Sequence, residues 1–118
     1  MKTAYRNIKP YVTKDGSEIR ELMHPAVHGN TKQSLAEATV LPGCRTLLHR
    51  HRATEEIYYV VQGEGEMVLG DDRFPVSAGD TICIAPGTAH CIENTGTAVL
   101  RILCACSPAY DHADTELL

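Results

Sequence analysis

The sequence predicts an all-β fold, either a sandwich or a barrel, made of many short strands. From residue 34 onward, segments of strand length alternate with turns rich in Gly and Pro, at intervals of about 8–12 residues. The chain has 118 residues, enough for one domain that buries roughly two-thirds of the surface of its unfolded chain. No linker, low-complexity tract or obvious internal repeat divides it. We therefore expect a single all-β domain.

Most of the predicted strands lie between residues 34 and 106. The segment 34–41 contains residues that also suit a helix, but it ends at Pro42 and Gly43, and segments of strand length follow it. We interpret it as a strand. Further strands are predicted at 46–51, 56–62, 64–69, 73–76, 81–85, 90–93 and 98–106.

Both ends of the chain are polar and are predicted to hold little regular structure. Residues 1–33 are interpreted as an N-terminal arm with one short strand, Ile8–Val12. Residues 18–25 are expected to be extended or to form a single turn, because Pro25 blocks the continuation of a helix. Residues 107–118 form a tail that either packs loosely or covers a sheet edge. The predicted organisation is thus arm 1–33, β-barrel 34–106 and tail 107–118, in one domain.

Composition argues against two classes of partner. Hydrophobic residues make up 43% of the chain and charged residues 22%, with a net charge of -4, which is ordinary for a soluble globular protein. Lys and Arg are scattered and aromatic residues are only 5%, so neither a basic stripe nor a base-stacking surface for nucleic acid is predicted. No run approaches the roughly 18 apolar residues of a membrane span. We expect no nucleic-acid and no membrane partner.

The cysteines and the first residues predict a cytoplasmic protein. Five cysteines is an odd number, and no pair has Cys-x-x-Cys spacing. Cys104 and Cys106 lie two residues apart in a predicted strand, where a disulfide would require strained geometry, so reduced thiols are expected. The N-terminal residues also lack the apolar region of a secretory signal.

The segment 49–56 concentrates two imidazoles and two carboxylates. His49 and His51 are two residues apart, so in a strand both project from the same face. Glu56 lies five residues after His51, an odd offset, and joins the histidines only if the chain turns or bulges through residues 52–54. Glu55 is the competing carboxylate, and the residues alone do not separate the two. A His-x-His pair by itself is more often structural than ligating, so this segment alone does not establish a metal site.

A second segment, 79–94, adds a third histidine. It has the pattern of a strand, a tight turn at Pro86 and Gly87, and a next strand that begins at His90. With this segment the chain resembles the cupin superfamily, whose two sequence motifs both have counterparts here. The first motif is matched by Gly43, His49, His51, Glu56 and Gly63, and the second by Gly79, Gly87, His90 and Asn94.

Two details of the match bear on the site. The six-residue gap to Gly63 selects Glu56 rather than Glu55. Ala85 stands where the second motif usually has Pro, and Pro86 beside it is expected to preserve the turn. The resemblance implies a small double-stranded β-helix, or jelly roll, with a metal ion inside the barrel. Carried over by position, the implied metal ligands are His49, His51, Glu56 and His90.

Three imidazoles and one carboxylate favour one divalent transition metal ion, Fe, Mn, Co, Ni, Cu or Zn, over Ca or Mg. Four protein ligands on an octahedral ion leave two adjacent positions for water, dioxygen or a substrate that chelates through two oxygens. Since ligating histidines commonly donate their second N–H to a partner, further residues are expected around the ion. The pocket candidates are Tyr58, Arg45, Gln33 and Asn94. For each of the four, ordinary packing or turn formation is an equal alternative.

The resemblance implies two competing functions. The first is a metal-dependent enzyme that acts on a small polar molecule, with dioxygenase, isomerase or lyase chemistry, or as a domain of a synthetase system. The second is a non-catalytic module that binds a small ligand with the help of the metal. Fold alone does not choose between them. In either case we expect a homodimer, because the apolar face that Ile57, Tyr59 and Val61 would present needs cover.

Overall fold

The computed structural model describes residues 1–118 and contains two antiparallel sheets. The eleven strands are β1 (Tyr11–Val12), β2 (Glu18–Met23), β3 (Ser34–Val40), β4 (His49–His51), β5 (Glu55–Gln62), β6 (Glu64–Leu69), β7 (Asp72–Ser77), β8 (Thr81–Ile84), β9 (His90–Asn94), β10 (Leu100–Ser107) and β11 (Thr115–Leu117). The first sheet has the order β1-β2-β3-β10-β5-β8, and the second has the order β11-β4-β9-β6-β7.

Helical structure is limited to short pieces. A single-turn helix, α1 (Pro25–His28), follows β2, and two 3-10 turns cover Tyr5–Asn7 and His112–Asp114. None of these helices has the length and apolarity needed to cross a membrane. The prediction of an all-β fold is therefore confirmed.

Strict alternation of buried and exposed side chains builds the core between the sheets. In β5, Glu56, Tyr58 and Val60 are buried, while the residues between them are exposed. Because successive side chains of a strand point to opposite faces, this period of two directs one face of each strand into the barrel. The fully buried apolar side chains are Val60, Met67, Ile84, Ile92, Leu100 and Ile102, and they come from both sheets.

The N-terminal segment contributes more strand than the sequence predicted. The strand expected over Ile8–Val12 is reduced to its last two residues, which form β1. By contrast, Glu18–Met23 forms a six-residue strand that pairs with β3. Ile19 of this strand joins the buried core cluster, which explains why the segment becomes a full member of the sheet.

Strand β4 is shorter than predicted because its first half bonds elsewhere. The sequence predicted a strand over 46–51, but only His49–His51 is one. The amide of Leu47 donates to the backbone oxygen of Asp15, which lies in the turn before β2. The buried hydroxyl of Thr46 accepts from the amide of Ile92. The first contact ties the N-terminal segment to the residues before β4, and the second ties them to β9.

The C-terminal segment covers a sheet edge, which was one of the two alternatives expected for it. Strand β11 pairs with β4, so that Thr115 lies opposite His51 and Leu117 opposite His49. The edge of the five-stranded sheet is thereby closed beside the histidines. This pairing brings residues from the end of the chain to the predicted metal ligands.

Candidate metal centre

Two neighbouring strands bring three histidines together. His49 and His51 occupy alternate positions of β4 and point to the same side, and His90 begins β9 directly opposite His49. All three imidazoles are buried. Their rings lie close, with centroids 4.2 Å apart for His49 and His90 and 5.2 Å apart for His49 and His51. One ring nitrogen from each lies within 4.8 Å of the others, a spacing that suits a shared metal ion.

Backbone oxygens fix the tautomer of two of these rings. Nδ1 of His49 lies 2.7 Å from the carbonyl oxygen of Leu47, and Nδ1 of His90 lies 2.9 Å from that of Thr88. Because a carbonyl oxygen can only accept, each Nδ1 carries the proton. Each Nε2 is then left with a free lone pair, which is what a metal ligand requires.

Thr115 fixes the third ring in the same way. Its hydroxyl donates to the backbone oxygen of Asp111 at 3.0 Å, so its single proton is already engaged. The Thr115 oxygen, 2.9 Å from Nδ1 of His51, must therefore accept from that ring nitrogen. In the neutral form of His51 the lone pair is then on Nε2, as in the other two rings. The C-terminal strand thus orients the predicted ligand His51, which lies 64 residues before Thr115.

A turn between β4 and β5 delivers the carboxylate, as the odd sequence offset required. Residues 52–54 leave the strand, and the carboxylate of Asp114 accepts from the amides of Ala53 and Thr54 at 3.0 and 3.2 Å. After this turn Glu55 is exposed and Glu56 is buried. The structure therefore brings Glu56, rather than Glu55, to the histidines.

Both oxygens of Glu56 have defined surroundings. Oε1 lies 3.2 Å from Nε2 of His51 and 3.5 Å from Nε2 of His90. Oε2 accepts from the thiol of Cys106 at 3.3 Å. Burial and the neighbouring charge of Glu56 raise the pKa of Cys106, so its sulfur stays protonated and donates. The thiol leaves Oε1 as the oxygen that faces the imidazoles.

Two features of these residues fit a bound cation. They are the buried polar atoms without hydrogen-bond partners and the shifted pKa values of Glu56 and His49. Oε1 of Glu56 and Nε2 of His90 are buried without a hydrogen-bond partner, although such atoms nearly always have one. Burial raises the pKa of Glu56, whereas a proton at Nε2 of His51 or His90 lowers it, to about 2 on balance, and a cation in the place of that proton would act in the same direction. Burial and the adjacent His90 lower the pKa of His49. One carboxylate beside three imidazoles is a donor set that suits a divalent transition metal.

The ligand atoms open into a small cavity between the sheets. Its volume is about 40 Å³, and since one water-sized probe fills about 10–15 Å³, it holds only a few non-hydrogen atoms. Among its 17 lining residues are His49, His51 and Glu56, together with Tyr58 and Tyr110. The cavity therefore suits an ion together with part of a small molecule.

The four pocket candidates from the sequence lie in different places. Tyr58 lines the cavity. Asn94 is buried, but its side chain donates to Val40 and Ala98 and accepts from Gly96, which closes the turn after β9. Arg45 and Gln33 are exposed and lie outside the cavity lining.

Sequence reasoning missed several cavity residues that come from the two ends of the chain. They are Tyr11, Thr13, Asp15, Ser17, Glu21, Tyr110 and Thr115. The composition of residues 14–17, with Gly16, suits a turn, but it does not indicate what that turn faces. Cys106 was marked only as a reduced thiol. These residues reach the site through sheet pairing, which a local pattern does not reveal.

Comparison with known proteins supports the fold and places the motifs within it. The model of a family described as "Cupin domain" matches residues 36–106. An uncharacterized protein of Methanocaldococcus jannaschii is 56% identical over 118 residues, covering 100% of this chain and 94% of its own. An oxalate-binding protein of Thermotoga maritima is 34% identical over 86 residues, covering 73% of this chain and 71% of its own.

Solved structures agree in architecture. A predicted oxalate decarboxylase from Thermotoga maritima superposes with a TM-score of 0.80 at 29% identity, covering 92% of this chain and 99% of that one. The polyketide cyclase RemF from Streptomyces resistomycificus gives a TM-score of 0.83 at 24% identity, covering 100% of this chain and 85% of that one. At 24% identity the second likeness bears on the fold alone. The predicted double-stranded β-helix is confirmed.

Proposed function

Because this chain belongs to the cupin family, we propose that it is a metal-dependent enzyme that acts on a small polar molecule. His49, His51, Glu56 and His90 would hold one divalent transition metal ion. The observation that carries the proposal is the clustering of one ring nitrogen from each histidine within 4.8 Å, with Oε1 of Glu56 lying 3.2 and 3.5 Å from Nε2 of His51 and His90. No protein hydrogen bond satisfies Oε1 of Glu56 or Nε2 of His90. A cation would satisfy both.

The donor set favours Fe, Mn, Co, Ni, Cu or Zn over the hard ions Ca and Mg. When bound, such an ion supplies Lewis-acid polarisation of a carbonyl or hydroxyl that chelates it. The chain's own contribution is positional. Two strands and three Nδ1 hydrogen bonds orient the imidazoles, and Cys106 holds the outer oxygen of Glu56. The small cavity limits the water around a bound molecule.

A non-catalytic binding module is the second candidate. One curated relative, 34% identical, is named for binding oxalate rather than for converting it. The same metal centre would serve such a protein, since open coordination positions bind a ligand whether or not a bond then changes. Dioxygenase, isomerase and lyase chemistry, or a place in a synthetase system, belong to the first candidate only.

The metal assignment is tested by metal content. We expect the purified protein, analysed by plasma mass spectrometry, to hold about one divalent transition metal ion per chain. The double variant His49→Ala/His51→Ala should hold none, because two of the four ligands are gone. His112→Ala is the matched control, since His112 is exposed and outside the cavity lining. Full metal content in the double variant would refute the assignment.

Turnover separates the enzyme from the binding module. Protein loaded with iron, manganese, nickel or zinc would be mixed with hydroxy acids, ketoses, catechols and amino acids, and followed by oxygen uptake and product mass. A product that forms with the wild type and not with the His49→Ala/His51→Ala variant supports the enzyme. Tight binding without any product across these classes supports the binding module.

A homodimer is part of the proposal. Ile57, Tyr59 and Val61 on the outer face of β5 are 41%, 44% and 45% exposed. Sheet pairing places Leu35, Ala105 and Ile57 in one row, so the apolar surface extends over three strands. A surface of this kind is typical of an interface. Packing two copies face to face would cover it.

Sedimentation tests the dimer. We expect a species of about twice the 12.9 kDa chain mass at micromolar concentration. Val61→Lys should shift it to the monomer, whereas Val27→Lys, on the exposed surface of α1, should not. A wild type that sediments only as a monomer would refute the dimer.

We also propose a cytoplasmic location. It is supported by the five cysteines, all of which are free thiols. Free thiols are typical of reducing compartments.

A further inference from the structure

We infer that the ligand of this site is an uncharged or cationic small molecule that donates hydrogen bonds, such as an alcohol, an amide or an amine, and not a carboxylate anion. The inference rests on the proposed metal centre and deepens it by naming the class of ligand. Three observations carry it: a buried carboxylate with a free oxygen, a second carboxylate without a full set of partners, and a cavity wall without Lys or Arg.

Asp15 places a carboxylate in the cavity beside the metal ligands. It is only 8% exposed. Oδ1 accepts both hydrogen bonds that the side chain makes, from the amide and the hydroxyl of Ser17 at 2.9 and 2.6 Å. Oδ2 makes none and lies 3.7 Å from Nε2 of His49. This oxygen therefore faces the same space as the lone pair of a metal ligand.

Glu21 adds a second carboxylate to the cavity wall. Its Oε1 accepts from the hydroxyl of Tyr11 at 3.1 Å, while Oε2 is buried and has no partner. A carboxylate oxygen only accepts hydrogen bonds, and an unsatisfied buried acceptor is unfavourable. A bound molecule that donates to Oε2 would remove this deficit. A carboxylate anion brings no donor.

The cavity wall offers an anion no compensating charge. None of its 17 lining residues is Lys or Arg. Lys14, the residue next to Asp15 in the sequence, donates its ammonium protons to the backbone oxygens of His112 and Thr115. A small carboxylate would therefore have only the metal to neutralise it.

The charge balance decides against an anion. A +2 ion held by Glu56 alone has a net charge of about +1, which attracts carboxylates. The carboxylates of Asp15 and Glu21, which line the same cavity, oppose that attraction. A dianion would then meet like charge in a poorly solvated cavity, where such repulsion is strong. An alcohol or amide still reaches the metal through an oxygen and donates its protons to the two carboxylates.

Two probes of similar size separate the alternatives. Oxalate is a dianion without donors, and glycolamide is neutral, chelates through its hydroxyl and carbonyl oxygens, and carries N–H and O–H donors. Calorimetric titration of the metal-loaded protein would give the dissociation constant of each. In water oxalate is the stronger chelator, so a preference for glycolamide must come from the cavity. We expect wild type to bind glycolamide more tightly than oxalate.

Asp15→Asn is the main variant, because an amide keeps an oxygen for Ser17 and loses the charge. It should tighten oxalate binding by about tenfold or more, because one close repulsion is removed, and weaken glycolamide binding by about threefold or more, because the amide nitrogen cannot accept the hydrogen bond that glycolamide donates. Glu21→Gln, which is measured separately in case Asp15→Asn fails to fold, should act in the same direction. The matched control is Asp71→Asn, an exposed carboxylate outside the cavity, and it should change neither constant.

Metal content, measured first on every sample, keeps the two proposals apart. Two results would overturn the inference while the metal centre stands. One is a wild type that binds oxalate more tightly than glycolamide. The other is an affinity for oxalate that is no higher in Asp15→Asn and in Glu21→Gln than in wild type. Loss of metal from Asp15→Asn would also overturn it, because Asp15 would then be a ligand of the ion. Wild-type protein that holds no metal would overturn the proposed function, and the inference with it.

Discussion

The cavity has two walls that differ in how completely their polar groups are satisfied. The metal wall consists of His49, His51 and Glu56, with the His90 ring packed against His49. Each polar side-chain atom of these four residues that faces away from the centre has a hydrogen-bond partner. The terminal wall consists of Tyr11, Thr13, Asp15, Glu21 and Tyr110 from the two ends of the chain.

In the terminal wall, acceptor oxygens of Asp15 and Glu21 remain without protein partners. The two walls therefore have different roles. A metal needs rings held in one tautomer and one orientation, and the metal wall holds its rings in this way. A ligand needs acceptors that the protein itself leaves free, and the terminal wall provides them.

Removal of a metal ligand should have the largest effect. His90→Ala deletes a buried nitrogen that would bind the metal. We expect metal affinity to fall by more than about 100-fold, because loss of a residue that only hydrogen-bonds to a ligand already costs up to about 100-fold. Competition with a chromophoric chelator measures the constant. His112→Ala, with the same change at an exposed histidine, should leave it unchanged. Equal affinity in His90→Ala would show that the metal wall is not the binding site.

The metal wall is also the part of the site that the sequence predicted. Its residues lie within two short motifs, where a period of two fixes which side chains share a face. The odd offset from His51 to Glu56 even required the turn at residues 52–54 that the structure contains. Motif spacing thus reports local geometry well.

The terminal wall could not be predicted, because it is built by long-range pairing. Asp15 reaches the site through a backbone bond to Leu47, and Thr115 through the pairing of β11 with β4. Nothing around either residue in the sequence indicates that pairing. Arg45 lies between Gly43 and His49 in the sequence, and Gln33 precedes the first motif. Both lie outside the cavity lining. Proximity in sequence to a ligand did not mean proximity to the cavity.

Thr115 contacts His51 of the metal wall through its hydroxyl and Lys14 of the N-terminal segment through its backbone oxygen. Its replacement should have the next largest effect on metal affinity. In Thr115→Val the shape is kept but Nδ1 of His51 loses its acceptor, so the ring can protonate at Nε2 instead. We expect metal affinity to fall by roughly 10- to 100-fold, measured by the same chelator competition. Thr97→Val, an exposed site without side-chain hydrogen bonds, is the control. An unchanged constant in Thr115→Val would contradict the role assigned to the tautomer.

Asp114 holds the turn that brings Glu56 inward, so its effect should appear mainly in stability. Asp114→Ala removes the acceptor for the amides of Ala53 and Thr54. We expect the free energy of unfolding to fall by about 1–3 kcal/mol, the range for hydrogen bonds to a charged group, measured by urea denaturation. Asp71→Ala, at an exposed turn, should stay within about 0.5 kcal/mol of wild type. A loss as small as that in Asp114→Ala would show that the turn is held by other contacts.

The thiol of Cys106 should have the smallest effect. Cys106→Ala removes the donor to Oε2 of Glu56, and we expect metal affinity to fall by about 3- to 10-fold, less than for a histidine partner because a thiol is a weak donor. Cys106→Ser, which restores a donor, should recover part of the loss. Cys83→Ala, at an exposed cysteine, should have no effect. A serine variant weaker than the alanine variant would argue against a hydrogen bond to Glu56.

X-ray absorption at the edge of the bound metal tests the central claim most directly, because it reports the ligand atoms themselves. We predict three imidazole nitrogens and one carboxylate oxygen at about 2.0–2.2 Å, with further light atoms from water or ligand. The double variant His49→Ala/His51→Ala should lose the multiple-scattering signal of the imidazoles. A sulfur ligand, or fewer than three imidazoles in the wild type, would contradict the account.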